Sequence, residues 1–170
     1  MGVSVEVTEL KCALNDYLSL AQEIRNQRER YDEMIAGLGT VGSPELSDIP
    51  KGPPRPGDKI GAIIVRVEKL RDELAALETR QLEFEESLEA VLVHIKKPDE
   101  KNIIRLRYID GKSWNDIAKR FYAARGEKVT MANRDSCIRL VQTIHGSALV
   151  HIVDVCEEKP TLRFWKTSSE

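Results

Sequence analysis

The chain has few aromatic residues, few cysteines and no long apolar run. Aromatics make up 5% of the 170 residues and charged residues 32%, a balance typical of long, solvated helices rather than of a thick globular core. Cys12, Cys137 and Cys156 are odd in number and far apart, so they fit neither a disulfide framework nor a zinc site. No stretch of 18 apolar residues and no charged-then-apolar N-terminal signal occurs. We therefore expect a cytoplasmic protein with no membrane partner.

Motifs for catalysis are also missing. The sequence has no glycine-rich phosphate loop and no nucleophile motif. His94, His145 and His151 have no carboxylate or cysteine at ligand spacing. The acid pairs Glu85-Glu86 and Asp99-Glu100 make a poor acid–base site because adjacent helical residues point apart. We expect a protein that is not an enzyme and that holds no metal and no cofactor.

Charge is unevenly distributed along the chain. The net charge is −2, which by itself argues against nucleic acid as a partner. Residues 1–95, however, carry 11 Lys/Arg and 18 Asp/Glu, whereas residues 96–153 carry 12 and 6. The local balances are −7 and +6, and the remaining residues contribute −1. The basic share therefore falls on the C-terminal half.

Two segments of the N-terminal half repeat apolar residues at steps of three and four. A repeat of this kind keeps one seam facing a partner helix and predicts a coiled coil. The first seam comprises Leu10, Leu14, Tyr17, Ala21, Ile24, Arg28, Tyr31, Ile35 and Leu38. The second comprises Ile60, Ile63, Val67, Leu70, Leu74, Leu77, Gln81, Phe84, Leu88, Val91 and Ile95.

A segment rich in glycine and proline, residues 37–58, separates the two seams. Its five prolines predict a loop or linker, long enough for the second helix to return antiparallel to the first. The resulting hairpin, within residues 1–97, could simply bury its own seam. Two helices alone bury little apolar surface, so we expect the hairpin or the last helix to form a homo-oligomer or to bind a partner.

The C-terminal half shows the pattern of three consecutive helices. Pro98 suits the first turn of a helix, and Asp110-Gly111 predicts a turn. Ser113 can cap a helix that starts at Trp114, with Asp116 at its third position. A further helix from about Ala132 would bury one apolar stripe, made of Cys137, Val141, Ile144, Ala148, Ile152 and Val155.

The ordered fragments NIIRLRYIDGKSWNDIAKRF and RDSCIRLVQTIHGSAL resemble the helix-turn-helix of sigma factor region 4. The whole chain resembles late transcription regulators encoded by phages and prophages of Gram-positive bacteria. The resemblance implies an all-α fold, with a long antiparallel coiled-coil hairpin and a helix-turn-helix domain at 98–158. It also implies sequence-specific binding of double-stranded DNA, contact with RNA polymerase, and a location in the cytoplasm of a bacterial host. We expect the tail at 159–170 to be flexible, with docking of Phe164 and Trp165 on a neighbour as the alternative.

The chain departs from that family at Tyr122–Asn133, where a tight turn of three or four residues is usual. Either the scaffold helix runs on to Arg125 with a loop at 126–130, or the motif carries a basic, wing-like insertion. Ordinary solvated charge is the alternative role for each cation here. The base-reading candidates are Arg134, Arg139, Gln142 and Thr143, and the phosphate-binding candidates are Lys112, Lys119, Arg120, Arg125 and Lys128.

Two other functions fit the same pattern. A DNA-packaging protein resembling the small terminase subunit also joins a helix-turn-helix to a helical oligomerisation element, and a ring of many subunits would favour it. A sigma-like module could instead bind RNA polymerase or another protein and never bind DNA. Salt dependence separates this last case, because binding through several phosphates weakens steeply as salt rises.

Overall fold

The computed structural model describes residues 2–39 and 56–165. Within these ranges the regular structure is helical and contains no strand, which confirms the all-α fold class. Short turns follow two of the helices, a π-helical turn at Arg105–Ile109 and a 3₁₀ turn at Pro160–Leu162. The α-helices are α1 (Gly2–Gly39), α2 (Pro56–Leu92), α3 (Pro98–Ile104), α4 (Trp114–Ala123) and α5 (Arg134–Glu158).

The helix ends differ slightly from the predicted ones. The glycine- and proline-rich loop predicted at 37–58 is helical at both ends, since α1 continues to Gly39 and α2 begins at Pro56. Proline is tolerated at the start of a helix, where its missing N–H would have no intrahelical partner. Residues 40–55 of the predicted loop lie outside the described residues. The second helix ends at Leu92 rather than at Ile95.

The chain divides into two compact units. The first, which we call the terminal unit, combines Met1–Ser19 with Leu82–Glu170, and the second, the central unit, is Leu20–Gln81. The first turns of α1 and the last turns of α2 therefore belong with α3, α4 and α5.

The larger core of the terminal unit draws on four helices, α1, α2, α3 and α5. Leu10 and Leu14 of α1, Leu88 of α2, and Leu149 and Ile152 of α5 are fully buried in one apolar cluster. Helix α5 therefore packs against α1 and α2 in this unit. Burying a side chain of this size contributes roughly 1.5–3 kcal/mol, so these contacts hold both ends of the chain together.

Residues 159–165 pack on the same core instead of forming part of a flexible tail. Trp165 is 6% exposed, and Phe164 meets Phe84 edge to face with ring centroids 5.1 Å apart. Arg163 Nη2 donates to Glu6 Oε2 at 3.1 Å. Phe164 and Trp165 therefore dock on an apolar surface of this unit, which is the alternative to a flexible tail. Residues 166–170 lie outside the described residues.

Helix α4 begins where its cap was predicted. Ser113 Oγ accepts a hydrogen bond from the Asp116 backbone N–H at 3.2 Å and donates to Asp116 Oδ2 at 2.7 Å. The cap therefore provides a partner for one of the N–H groups that a helix leaves open at its start. The cap thereby fixes the residue at which α4 begins.

We expect Ser113→Ala to lower the free energy of unfolding by about 1 kcal/mol, because the substitution removes this N-cap. Denaturation in urea, followed by circular dichroism, measures the loss. The matched control is Ser136→Ala in the exposed first turn of α5, which should change stability by less than about 0.5 kcal/mol. Equal effects of the two substitutions would contradict the capping role.

Candidate nucleic-acid interface

Helices α3, α4 and α5 enclose a second apolar core. Ile103 of α3, Ile117 and Ala118 of α4, and Cys137 and Val141 of α5 are buried together. The inner stripe predicted for the last helix is confirmed, with Ile144 and Val155 half-buried and its other members buried. The three-helix core therefore fixes which face of α5 is turned outward.

A loop of irregular structure joins α4 to α5. Helix α4 ends at Ala123, two residues before the predicted end at Arg125, and α5 begins at Arg134. Gly126 has a φ of 76°, a left-handed conformation that glycine adopts without steric cost. Asn133 closes the loop, since its Oδ1 accepts from the Thr130 N–H at 2.7 Å. Residues 122–133 contain no strand. A helix end followed by a loop therefore describes this segment better than a wing-like insertion does.

The base-reading candidates lie on the exposed side of α5. Arg134, Arg139, Gln142 and Thr143 are all exposed. Arg139 is two residues from the buried Val141, which places the two side chains on nearly opposite faces of a helix with 3.6 residues per turn. Thr143 Oγ1 donates to the Arg139 carbonyl at 2.9 Å. Two long polar side chains, those of Arg139 and Gln142, are thus free to extend outward.

Cations in the terminal unit fall into two groups. Several are held by carboxylates of neighbouring helices, as when Arg105 Nε donates to Glu89 Oε1 at 2.7 Å. That hydrogen bond outweighs the effect of burial and keeps the pKa of Glu89 below its ordinary value. A second group forms no ion pair with any described residue, and it includes six of the candidates: Lys112, Lys119, Arg120, Lys128, Arg134 and Arg139. The same is true of Lys11, Lys96, Lys101, Arg107 and Lys159. Cations without a protein partner are available to bind phosphate.

Among the phosphate-binding candidates, Arg125 already has partners. Its guanidinium forms an ion pair with Asp99, donates to the Phe121 carbonyl at 3.0 Å, and stacks 3.6 Å from the centre of the Phe121 ring. These contacts secure the end of α4 against the start of α3. A phosphate would have to compete with them.

Three of the other candidates share one depression. Lys112, Asp116, Lys119 and Arg120 line an open cavity of about 260 Å³ beside the start of α4. Its net charge is positive, since three cations surround one carboxylate. That carboxylate, of Asp116, accepts a hydrogen bond from Ser113. A phosphate oxygen would find ammonium and guanidinium donors here. The sequence identified these three cations but not the cavity that joins them.

The buried histidine His145 links the two cores of the terminal unit. Its Nε2 lies 3.0 Å from the Tyr108 hydroxyl, and the Trp114 ring meets it edge to face at 5.0 Å. Burial, with smaller effects from the nearby cations Lys11 and Arg107, lowers the pKa of His145 to about 4. Burial also raises the pKa of Tyr108 to about 12. Both groups are neutral near pH 7, which suits a packing role better than proton transfer.

A second buried polar cluster is centred on Glu100, which is 1% exposed. Its carboxylate lies 2.6 Å from His151 Nδ1 and accepts hydrogen bonds from Ser147 at 2.9 Å and Lys97 at 3.2 Å. Burial alone would raise the pKa of Glu100, but these three partners outweigh burial and lower it. The carboxylate partner of His151 is therefore supplied by the fold, from α3. The two residues are 51 positions apart in sequence, and local spacing carries no signal of such a contact.

Among the described residues, no group of three or more His, Cys, Asp or Glu side chains could hold a metal ion. No described helix has the length and apolar character needed to span a membrane. No protein family, functionally characterised protein or solved structure matches the chain at a significant level. The geometry of the outward face of α5 and of the basic depression therefore carries the functional argument.

We expect acid to lower the free energy of unfolding through His145. The pKa of His145 is about 4 when folded, against 6.5 ordinarily, so between these values only the unfolded chain takes up the proton. The contribution to stability is full above pH 6.5, is lost as pH falls to about 4, and amounts to roughly 3 kcal/mol. Urea unfolding at a series of pH values measures it.

The variant His145→Gln should lose this part of the pH dependence, whereas His94→Gln, at an exposed position, should retain it. Equal acid sensitivity of the wild type and the His145→Gln variant would contradict the assignment.

Proposed function

We propose that the protein is a sequence-specific transcriptional regulator of phage or prophage type that binds double-stranded DNA with α5 in the major groove. In this proposal α3, α4 and α5 form a domain like sigma factor region 4, and α1 and α2 form an antiparallel coiled-coil hairpin. The protein acts in the cytoplasm of a bacterial host, and RNA polymerase is the candidate protein partner. It is not an enzyme.

The observation that carries the proposal is the pairing of an exposed polar helix face with unpartnered cations. The inner face of α5 is buried by α3 and α4, so its outer face is free for a ligand. Arg139 and Gln142 extend from this face, and these side-chain types bond guanine and adenine edges bidentately. Cations that lack carboxylate partners lie on α4 and at the start of α5. The exposed face of α5 would thus contact base edges, and the unpaired cations would contact phosphates.

The hairpin part of the proposal rests on contacts within each unit. In the terminal unit, Tyr17 of α1 stacks on Phe84 of α2 with ring centroids 4.4 Å apart. In the central unit, Arg28 of α1 forms an ion pair with Glu78 of α2. In each unit α1 and α2 therefore lie side by side, which supports the hairpin.

A protein-binding module is the second candidate function. Met131 is 90% exposed and Leu140 is 45% exposed, and both lie close to the start of α5. Isolated exposed apolar side chains are ordinary surface features, and a protein partner would cover these two. Binding of this kind would depend weakly on salt, whereas binding through phosphates would depend on it strongly.

The base-reading role predicts that Arg139→Ala combined with Gln142→Ala weakens binding to the preferred site. A DNA site selected from the host phage genome would be titrated by fluorescence anisotropy. Each bidentate pair with a base is worth about 1–3 kcal/mol, so the affinity for this site should fall by roughly tenfold or more. Affinity for unrelated DNA should change much less, and Arg66→Ala, at an exposed position on α2, should change neither. Unaltered affinity of the double variant for the selected site would rule out α5 as the reading helix.

The phosphate-binding role predicts a different signature for Lys119→Ala combined with Arg120→Ala. Binding should weaken to a similar degree on every DNA sequence, because phosphate contacts carry no sequence information. The slope of log affinity against log salt should become shallower by about 2, at about 0.9 for each phosphate that the variant no longer neutralises. Arg30→Ala, at an exposed position on α1, is the control and should leave the slope unchanged. A wild-type slope near zero would favour the protein-binding module instead.

A further inference from the structure

The central unit buries few apolar side chains. Its described side chains lie at positions 20–37 and 61–81, and the buried apolar ones among them are Ile24, Val67 and Leu74. These are 5%, 8% and 8% exposed, whereas Leu10 in the terminal unit is 0% exposed. The apolar side chains along the described seam of the central unit are therefore less completely buried than those in the core of the terminal unit.

The apolar stripe of the central unit is wider than a two-helix seam needs. Ile35, a seam position in the heptad pattern, is 43% exposed, and Ile64 is 45% exposed. A two-stranded coiled coil uses about two apolar positions in seven, whereas a helix that packs in a bundle uses about three. Five further apolar seam positions are only half-buried, namely Ala21, Tyr31, Ile63, Leu70 and Leu77. Leu20 and Met34, which lie beside the seam, are half-buried as well. Each helix thus presents apolar surface beyond what its partner covers.

The charge of this unit identifies the kind of molecule that could cover the stripe. Residues 20–39 and 56–81 carry 8 Lys/Arg and 9 Asp/Glu, with both signs on both helices. A nucleic acid or a strongly charged protein would find no complementary charge here. A second copy of the same unit would bring an equal apolar stripe and no net repulsion.

We propose that the central units of two chains pack against each other around a two-fold axis to form a four-helix bundle. In a two-fold interface the same residues serve on both sides, and the three-in-seven stripe is the pattern that such bundles bury. Ile35 and Ile64 lie in the contact and lose their exposure there. The dimer carries two copies of the α5 face, as a repeated DNA half-site requires.

Sedimentation velocity of the full chain without DNA tests this proposal separately from DNA binding. The wild type should sediment as a dimer of the 19.2 kDa chain at micromolar concentration. Ile35→Gln combined with Ile64→Gln should raise the dimer dissociation constant roughly tenfold or more, since four apolar side chains leave the interface. Helicity should be unchanged, because both positions are largely exposed in the single chain.

The matched control is Val65→Gln. Val65 is 64% exposed and lies across the helix from Val67, two residues away, so it should leave the dimer intact. A monomeric wild type, a ring of many copies, or a dimer that the Ile35 and Ile64 substitutions do not weaken would each overturn the proposal. A wild type that is dimeric but does not bind DNA would leave this inference standing and count only against the proposed function.

Discussion

The terminal unit depends on one continuous apolar stripe along α5. Its first part, with Cys137 and Val141, closes the core against α3 and α4. Its second part, with Leu149 and Ile152, enters the core formed with α1 and α2. One helix therefore belongs to both cores, and the burial of its inner face determines which side chains are left for a ligand. The exposure of Arg139 and Gln142 is a consequence of this packing.

Polar contacts fix the position of α5 against α3 and the π-helical turn. Glu100 joins α3 to α5 through Ser147 and His151, and Tyr108 joins the π-helical turn to His145. A buried polar group that loses its partner costs about 1–3 kcal/mol. Rotation or sliding of α5 would leave several such groups unpaired, so these bonds favour a single register where apolar packing alone would tolerate others.

Ion pairs within the terminal unit remove some of its cations from those that could bind a ligand. Arg105, Arg125 and Arg163 bind carboxylates of neighbouring segments, and these ion pairs hold helices together. The cations around the depression beside α4 have no such partner among the described residues. Charge counted along the sequence does not distinguish the two groups, because the distinction depends on which carboxylate lies within reach after folding.

Local patterns in the sequence specify the helices through their periods, caps and breaks. Ser113 caps α4 and Pro98 starts α3 where the pattern predicts, and the inner stripe of α5 follows from apolar spacing alone. Three features arise only on folding: the Glu100–His151 contact, the packing of Trp165 on the core, and the separation of ion-paired from unpaired cations. Each of these joins residues far apart in the chain, and their proximity depends on how the helices pack rather than on any local pattern.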